Sequence, residues 1–163
     1  MIMKARGFAL TELIFVIVII GMLLAIAVPS YNQWQIKNGV ERQTRELFAD
    51  LNTARTDSIY RKTRHSIVLN PTAYIMKRYS SDNESATAGG TTVLTNNVKY
   101  EITKMSGSFS GEHIVFNNRG FVEMGLNTIK INSQNSNAAF DCIVISEGRT
   151  NVGKVESNVC VQK

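Results

Sequence analysis

Few side chains in this sequence are placed to do chemistry, and the most informative is Glu12. It stands at the head of an apolar run: residues 13–28 include nothing that prefers water, and the next charged residue is Lys37. An ionised carboxylate within hydrocarbon costs on the order of 2.5–3.5 kcal/mol even on lenient insertion scales, so it calls for a partner. No base lies within reach downstream. A cut between Gly7 and Phe8 would supply one, because the new α-amino group of Phe8 would stand four residues before Glu12. The chemistry this spacing would then allow is pairing of that amine with the carboxylate.

The remaining reactive residues form no catalytic pattern. His65 and His113 lack the spacing of a metal pair and read as structural or exposed histidines. There is no G-x-S-x-G, no H-E-x-x-H and no phosphate-cradling loop; Gly89-Gly90 has no lysine after it and reads as a linker. No enzyme, cofactor or metal is expected. Cys142 and Cys160 are the two cysteines. In an oxidising compartment they would close a loop of about 18 residues, worth roughly 3 kcal/mol. Two unpaired thiols, or half a metal site, are the alternatives; the second lacks a nearby histidine and a C-x-x-C.

The elements that position these residues begin with the apolar run. Residues 8–28 number 21, about the roughly 20 a helix needs to cross a hydrocarbon core. Lys4 and Arg6 precede it, which places the N-terminus in the cytoplasm and the bulk of the chain across the membrane. Tyr31 and Trp34 follow it, where aromatic rings sit at an interface. A secretory signal has a shorter apolar region cut on its far side. A cut between Gly7 and Phe8 would instead precede the run and keep it. A plain signal anchor, with Glu12 merely near the interface, is the competing reading.

The rest of the 163 residues fit one modest domain. The net charge is +5, from 18 basic and 13 acidic residues; loss of residues 1–7 leaves 16 basic residues and a net +3. Such a mild, dispersed excess says little about a polyanionic partner. Past Pro29 the apolar pattern becomes helical, with Val40, Leu47, Phe48, Leu51, Ala54 and Ile59 forming a stripe between charged residues. One helix is expected over residues 8–61, kinked or interrupted at Pro29, with Gly39 as a second weak point. Arg61, Lys62, Arg64 and His65 make a basic knot that suits a helix C-terminus.

Strands follow. Residues 66–70 and 73–79 predict a hairpin across Asn70-Pro71-Thr72, and 113–116 and 121–124 a second across Asn117-Asn118-Arg119-Gly120. Strand-like residues also occupy 92–104, around Asn96-Asn97, then 128–132, 140–146 and 149–155, the last after a turn at Glu147-Gly148. Residues 80–91 and 105–112 are small and polar and read as loops, the first a mobile one. The predicted class is α+β, a long N-terminal helix packed on an antiparallel β-rich domain.

The N-terminal pattern of Gly7-Phe8, Glu12, Gly21 and Pro29 closely resembles the signature of type IV pilins and type II secretion pseudopilins. The resemblance implies a leader peptide at residues 1–7 removed by a prepilin peptidase and Phe8 N-methylated after cleavage. It also implies Glu12 as the assembly carboxylate facing a neighbour's N-terminus, and helix kinks at Gly21 and Pro29. Residues 8–29 would form the transmembrane and assembly helix, 30–62 its amphipathic continuation, and 63–163 the periplasmic or extracellular domain.

Further segments resemble the FimT/GspH class of minor pilins and pseudopilins: Leu51-Asn52-Thr53-Ala54-Arg55, Ile114-Val115-Phe116-Asn117-Asn118-Arg119-Gly120, and Ile145-Ser146-Glu147-Gly148-Arg149. That resemblance implies a minor pilin of a type IV pilus. The alternatives are a pseudopilin of a type II secretion system, or a pilin that binds DNA for natural transformation. The expected partners are the peptidase, other pilin or pseudopilin subunits, and the inner membrane. Some FimT-like proteins bind DNA through a Gly-Arg-x-Arg motif. Here Asn151 replaces the second arginine, leaving Arg149, Lys154 and Lys163 as a weak, salt-sensitive basic tail and DNA as the least expected partner.

Overall fold

A computed structural model describes residues 10–105, 111–125, 127–132 and 137–162, with the side chains of residues 26 and 27 left out. The chain divides into two units, Met1–Gln35 and Ile36–Lys163.

Helix α1 covers Leu10–Arg61, with Pro29 inside it. The expected interruption is therefore not a break. Proline removes one backbone donor and crowds one carbonyl, a local cost that the turns on either side absorb. Within the second unit the helix buries Val40, Leu47, Leu51 and Ala54 of the predicted stripe completely, whereas Phe48 is half-buried and Ile59 is exposed at the edge of that face. Gly39 is a point of close packing: a Cβ there would stand 2.7 Å from the Tyr100 hydroxyl oxygen.

Two five-stranded antiparallel sheets complete the second unit. Sheet A has the order β3-β2-β1-β5-β6, from β1 (His65–Leu69), β2 (Ala73–Arg78), β3 (Thr91–Asn97), β5 (Glu112–Phe116) and β6 (Val122–Met124). Sheet B has the order β10-β9-β8-β7-β4, from β4 (Glu101–Lys104), β7 (Thr128–Asn132), β8 (Cys142–Ile145), β9 (Thr150–Glu156) and β10 (Val159–Gln162). The core joins Leu47, Leu51 and Ala54 of α1 to Ile67, Met76, Ile114 and Phe116 of sheet A and to Ile102, Ile129 and Ile143 of sheet B. The coarse α+β layout matches the sequence reading.

Both predicted hairpins form, with Leu69 opposite Tyr74 and Val115 opposite Met124. The stretch 92–104 does not stay together. It splits at residues 98–100 into β3 of one sheet and β4 of the other. Gln43 of α1 holds the crossing, its Nε2 donating to the Tyr100 carbonyl at 2.6 Å and its Oε1 accepting from the Tyr100 N–H at 2.9 Å.

The segment expected to be a mobile loop, residues 80–91, is tied down. Glu84 accepts from Gly90 N–H at 2.6 Å and from Ser80 N–H at 2.9 Å. Lys77 Nζ donates to the Gly89 carbonyl at 3.3 Å, and Tyr79 Oη donates to the Ala86 carbonyl. Its small polar residues supply the turns that let backbone carbonyls reach these donors. Within the loop expected at residues 105–112, residues 106–110 lie outside the described residues.

Candidate functional site

Among the described residues of the first unit, α1 is exposed along its apolar run. Every large apolar side chain described between residues 10 and 28 is 44–75 % exposed. Leaving this much apolar surface in water is unfavourable at about 25 cal/mol per Å², so the segment favours an apolar environment. Among the described residues, α1 is the one helix long and apolar enough to cross a membrane. Glu12 occupies its first turn as the single carboxylate of the segment. Gly7 and Phe8 lie outside the described residues, so the expected amine–carboxylate relation is not among the observed contacts. At Gly21 nothing lies within 4 Å of the place a Cβ would take. Tyr31 and Trp34 stack with ring centroids 5.9 Å apart, both more than half exposed, an arrangement suited to a membrane–water boundary.

The second unit brings distant segments together at Arg55. Its Nη1 donates to the Gly148 carbonyl at 3.1 Å, and its guanidinium lies 5.2 Å from the centre of the Phe116 ring. A Cβ on Gly120 would stand 3.3 Å from Arg55 Cγ and 2.6 Å from Ile59 Cδ1, and the positive φ of Gly120 (81°) suits glycine there. Burial lowers the Arg55 pKa from its ordinary value. The three C-terminal segments singled out in the sequence thus meet at one cation: α1, the β5–β6 turn and the β8–β9 turn. Arginine suits this position because its planar group can stack on a ring and donate at its edge.

The basic knot at the helix end separates. Arg61 stays in the last turn, while Arg64 pairs with Glu123 at 2.8 Å and donates to the Glu84 carbonyl at 3.1 Å. His65 is buried in β1 with Nδ1 3.0 Å from the Thr63 carbonyl. His113 is half-buried in β5.

Of the residues considered for DNA, Arg149 is exposed in the β8–β9 turn and Lys154 is half-buried within β9. Lys163 lies outside the described residues. Asn151 is engaged elsewhere, its Nδ2 donating to Gln162 Oε1 at 3.0 Å.

Cys142 and Cys160 form a disulfide with Cα atoms 6.1 Å apart. It joins β8 to β10, which are second neighbours across β9. Gly153 of β9 makes room for it: a Cβ there would stand 2.9 Å from Cys160 Sγ. Sequence reasoning missed Gln43, Arg55 and Gly153 as organising residues. The signal for Gly153 was a lone glycine inside a strand pattern, which marks a close approach.

Compared with protein-family models, curated proteins and solved structures, the chain finds no match.

Proposed function

We propose that the chain is a prepilin-like structural subunit, a minor pilin of a type IV pilus, without catalytic activity of its own. A prepilin peptidase removes residues 1–7, and the subunit assembles through its N-terminal helix. The observation that carries this reading is the exposed apolar segment of α1 with Glu12 as its one carboxylate. A helix with that surface is stable in the inner membrane before assembly and in a bundle of like helices afterwards, and in both places Glu12 needs a cation. The basic residues before the apolar run support a cytoplasmic N-terminus and an exported domain, and the Cys142–Cys160 disulfide suits an oxidising compartment.

The pseudopilin of a type II secretion system shares all of these supports. Deletion of the gene separates the two: loss of piliation with intact exoprotein secretion fits the pilus, and the reverse fits the secretion system. The test of the common reading is the intact mass of the protein purified from its own membranes. Loss of residues 1–7 with one methyl added on Phe8 is expected. An unprocessed mass would leave a simple membrane-anchored domain and end the filament reading.

A further inference from the structure

The two edge strands of sheet B are held by different means. β4 buries Ile102 completely in the core, and the crossing that leads into it is gripped by Gln43. β10 buries none of its four residues: Val159, Val161 and Gln162 are exposed and Cys160 is half-buried. Among the described residues its non-covalent holds are two. One is the ladder to β9, from Val159 opposite Glu156 to Gln162 opposite Gly153; the other is an exposed bond from Asn151 Nδ2 to Gln162 Oε1 at 3.0 Å. Ladder bonds at an open edge compete with water, and a hairpin strand with no apolar face to bury is marginal by itself.

The turn into β10 adds little. Ser157 and Asn158 both take left-handed backbone angles, φ 50° and 62°. A two-residue turn of this hand favours glycine, and serine meets a steric cost there that glycine would not. β9, by contrast, is secured without β10. It pairs with β8 from Gly153 opposite Cys142 to Thr150 opposite Ile145. Asp141 N–H donates to the Gly153 carbonyl at 3.1 Å, and Val155 N–H donates to Asp141 Oδ1 at 2.7 Å. The disulfide thus ties a weakly held strand to a firmly held one, through a Cys142 that is fully buried in β8.

We propose that the Cys142–Cys160 disulfide is a redox latch for β10. Closed, it keeps Val159–Gln162 on β9; opened by a dithiol reductant, it lets β10 leave while the rest of the domain stays folded. Exchange enters at Cys160. A thiolate needs access to the sulfur it attacks, and Cys160 is half-buried whereas Cys142 is fully buried. The incoming thiolate forms a bond to Cys160 Sγ, the bond to Cys142 breaks, and Cys142 Sγ leaves with the electron pair and takes up a proton. The second thiol of the reductant then attacks its own sulfur in the mixed disulfide and displaces Cys160, which is protonated in turn. The reductant ends as a disulfide and the chain has gained two electrons and two protons. An oxidised carrier of the same class closes the latch by the reverse steps.

Hydrogen exchange of the full chain in a nonionic detergent, read by mass spectrometry, tests the latch with dithiothreitol as the reductant. Protection of Val159–Gln162 should fall at least about tenfold on reduction, and equally in Cys142→Ser with Cys160→Ser, while β1, β5 and β8 change less than about twofold. Undiminished protection in β10 would make the disulfide dispensable to it, and a loss shared equally by β1 and β5 would make it a staple of the whole core; either result overturns the proposal. Entry at Cys160 is tested with a monothiol, 2-mercaptoethanol, at short times. Acid quenching and peptide mapping should find the mixed disulfide on Cys160 at least about ten times as often as on Cys142. Equal or reversed occupancy would overturn that assignment. None of these readouts depends on processing of the N-terminus.

Discussion

Arg55 and Gly148 stand 93 residues apart in the chain and are joined by a 3.1 Å hydrogen bond from the guanidinium to the carbonyl. The bond connects the helix to the β8–β9 turn, and the Phe116 ring beneath the same guanidinium connects both to β5. Arg55→Ala removes a charge-assisted bond and a ring contact together, at a cost of about 1–2 kcal/mol. Thermal unfolding of the full chain in detergent should show a fall in Tm of roughly 3–8 °C. Arg55→Lys should recover little, because an ammonium lacks the planar fork. An unchanged Tm for both variants would make the junction incidental.

Gly153→Ala sets a Cβ first against the Val161 carbonyl oxygen and next against Cys160 Sγ, at 2.9 Å, so the disulfide accounts for part of the clash. Overpacking of this kind costs about 1–3 kcal/mol. The cost should shrink when Cys142 and Cys160 are both replaced by serine, giving a coupling of at least about 0.5 kcal/mol in a double-mutant cycle. Strict additivity would mean that the disulfide and the glycine are unrelated.

Acid should loosen residues 80–91 in two steps. Burial, then nearby Lys77, hold the His113 pKa below its ordinary value, against the opposing pull of the Ala86 carbonyl and Glu112. The unfolded chain therefore takes up that proton more readily, and stability falls as pH drops below about 6.5. The Glu84 carboxyl is held below the usual range by the Gly90 and Ser80 N–H groups and the Ser80 hydroxyl. Its contribution is present above about pH 4.3 and is lost as pH falls through the folded value. Unfolding midpoints measured against pH should lose the upper step in His113→Phe and the lower one in Glu84→Gln. Persistence of a step in its own variant would assign it to another group.

Glu12→Val should leave cleavage after Gly7 intact while blocking incorporation into filaments. Western blots of membrane and sheared-filament fractions separate the two effects. A variant that is processed and incorporated normally would remove the carboxylate from assembly.

Much of the fold is legible in the residues. Val40, Leu47, Leu51 and Ala54 fall on one helical face, and Asn70-Pro71-Thr72 and Asn117–Gly120 contain the residues that tight turns require. The division of residues 91–104 between two sheets is not legible, because Asn96-Asn97 looks like a hairpin turn and the deciding contact, Gln43 to Tyr100, spans 57 positions. β10 escaped for a related reason. Its hairpin with β9 turns on Ser157 and Asn158, at φ 50° and 62°, a left-handed pair usually announced by glycine. At the candidate site the isolation of Glu12 at the head of an apolar run is written in local sequence, whereas the Arg55 junction depends on three segments that only folding brings together.

The grip of Gln43 on Tyr100 also sets an order of events. An amide side chain from the helix occupies both hydrogen-bonding groups of Tyr100 where the chain leaves one sheet for the other. Until the helix is docked those groups are open to water, and the crossing is held from the β1–β2 turn alone, by Val98 N–H on the Thr72 carbonyl and Ile102 N–H on the Pro71 carbonyl, both at 2.9 Å. Docking of the helix is therefore expected to complete the support of this crossing before sheet B closes. The Tyr100 amide is its reporter, and its protection in pulsed hydrogen exchange should precede that of the β4–β7 ladder.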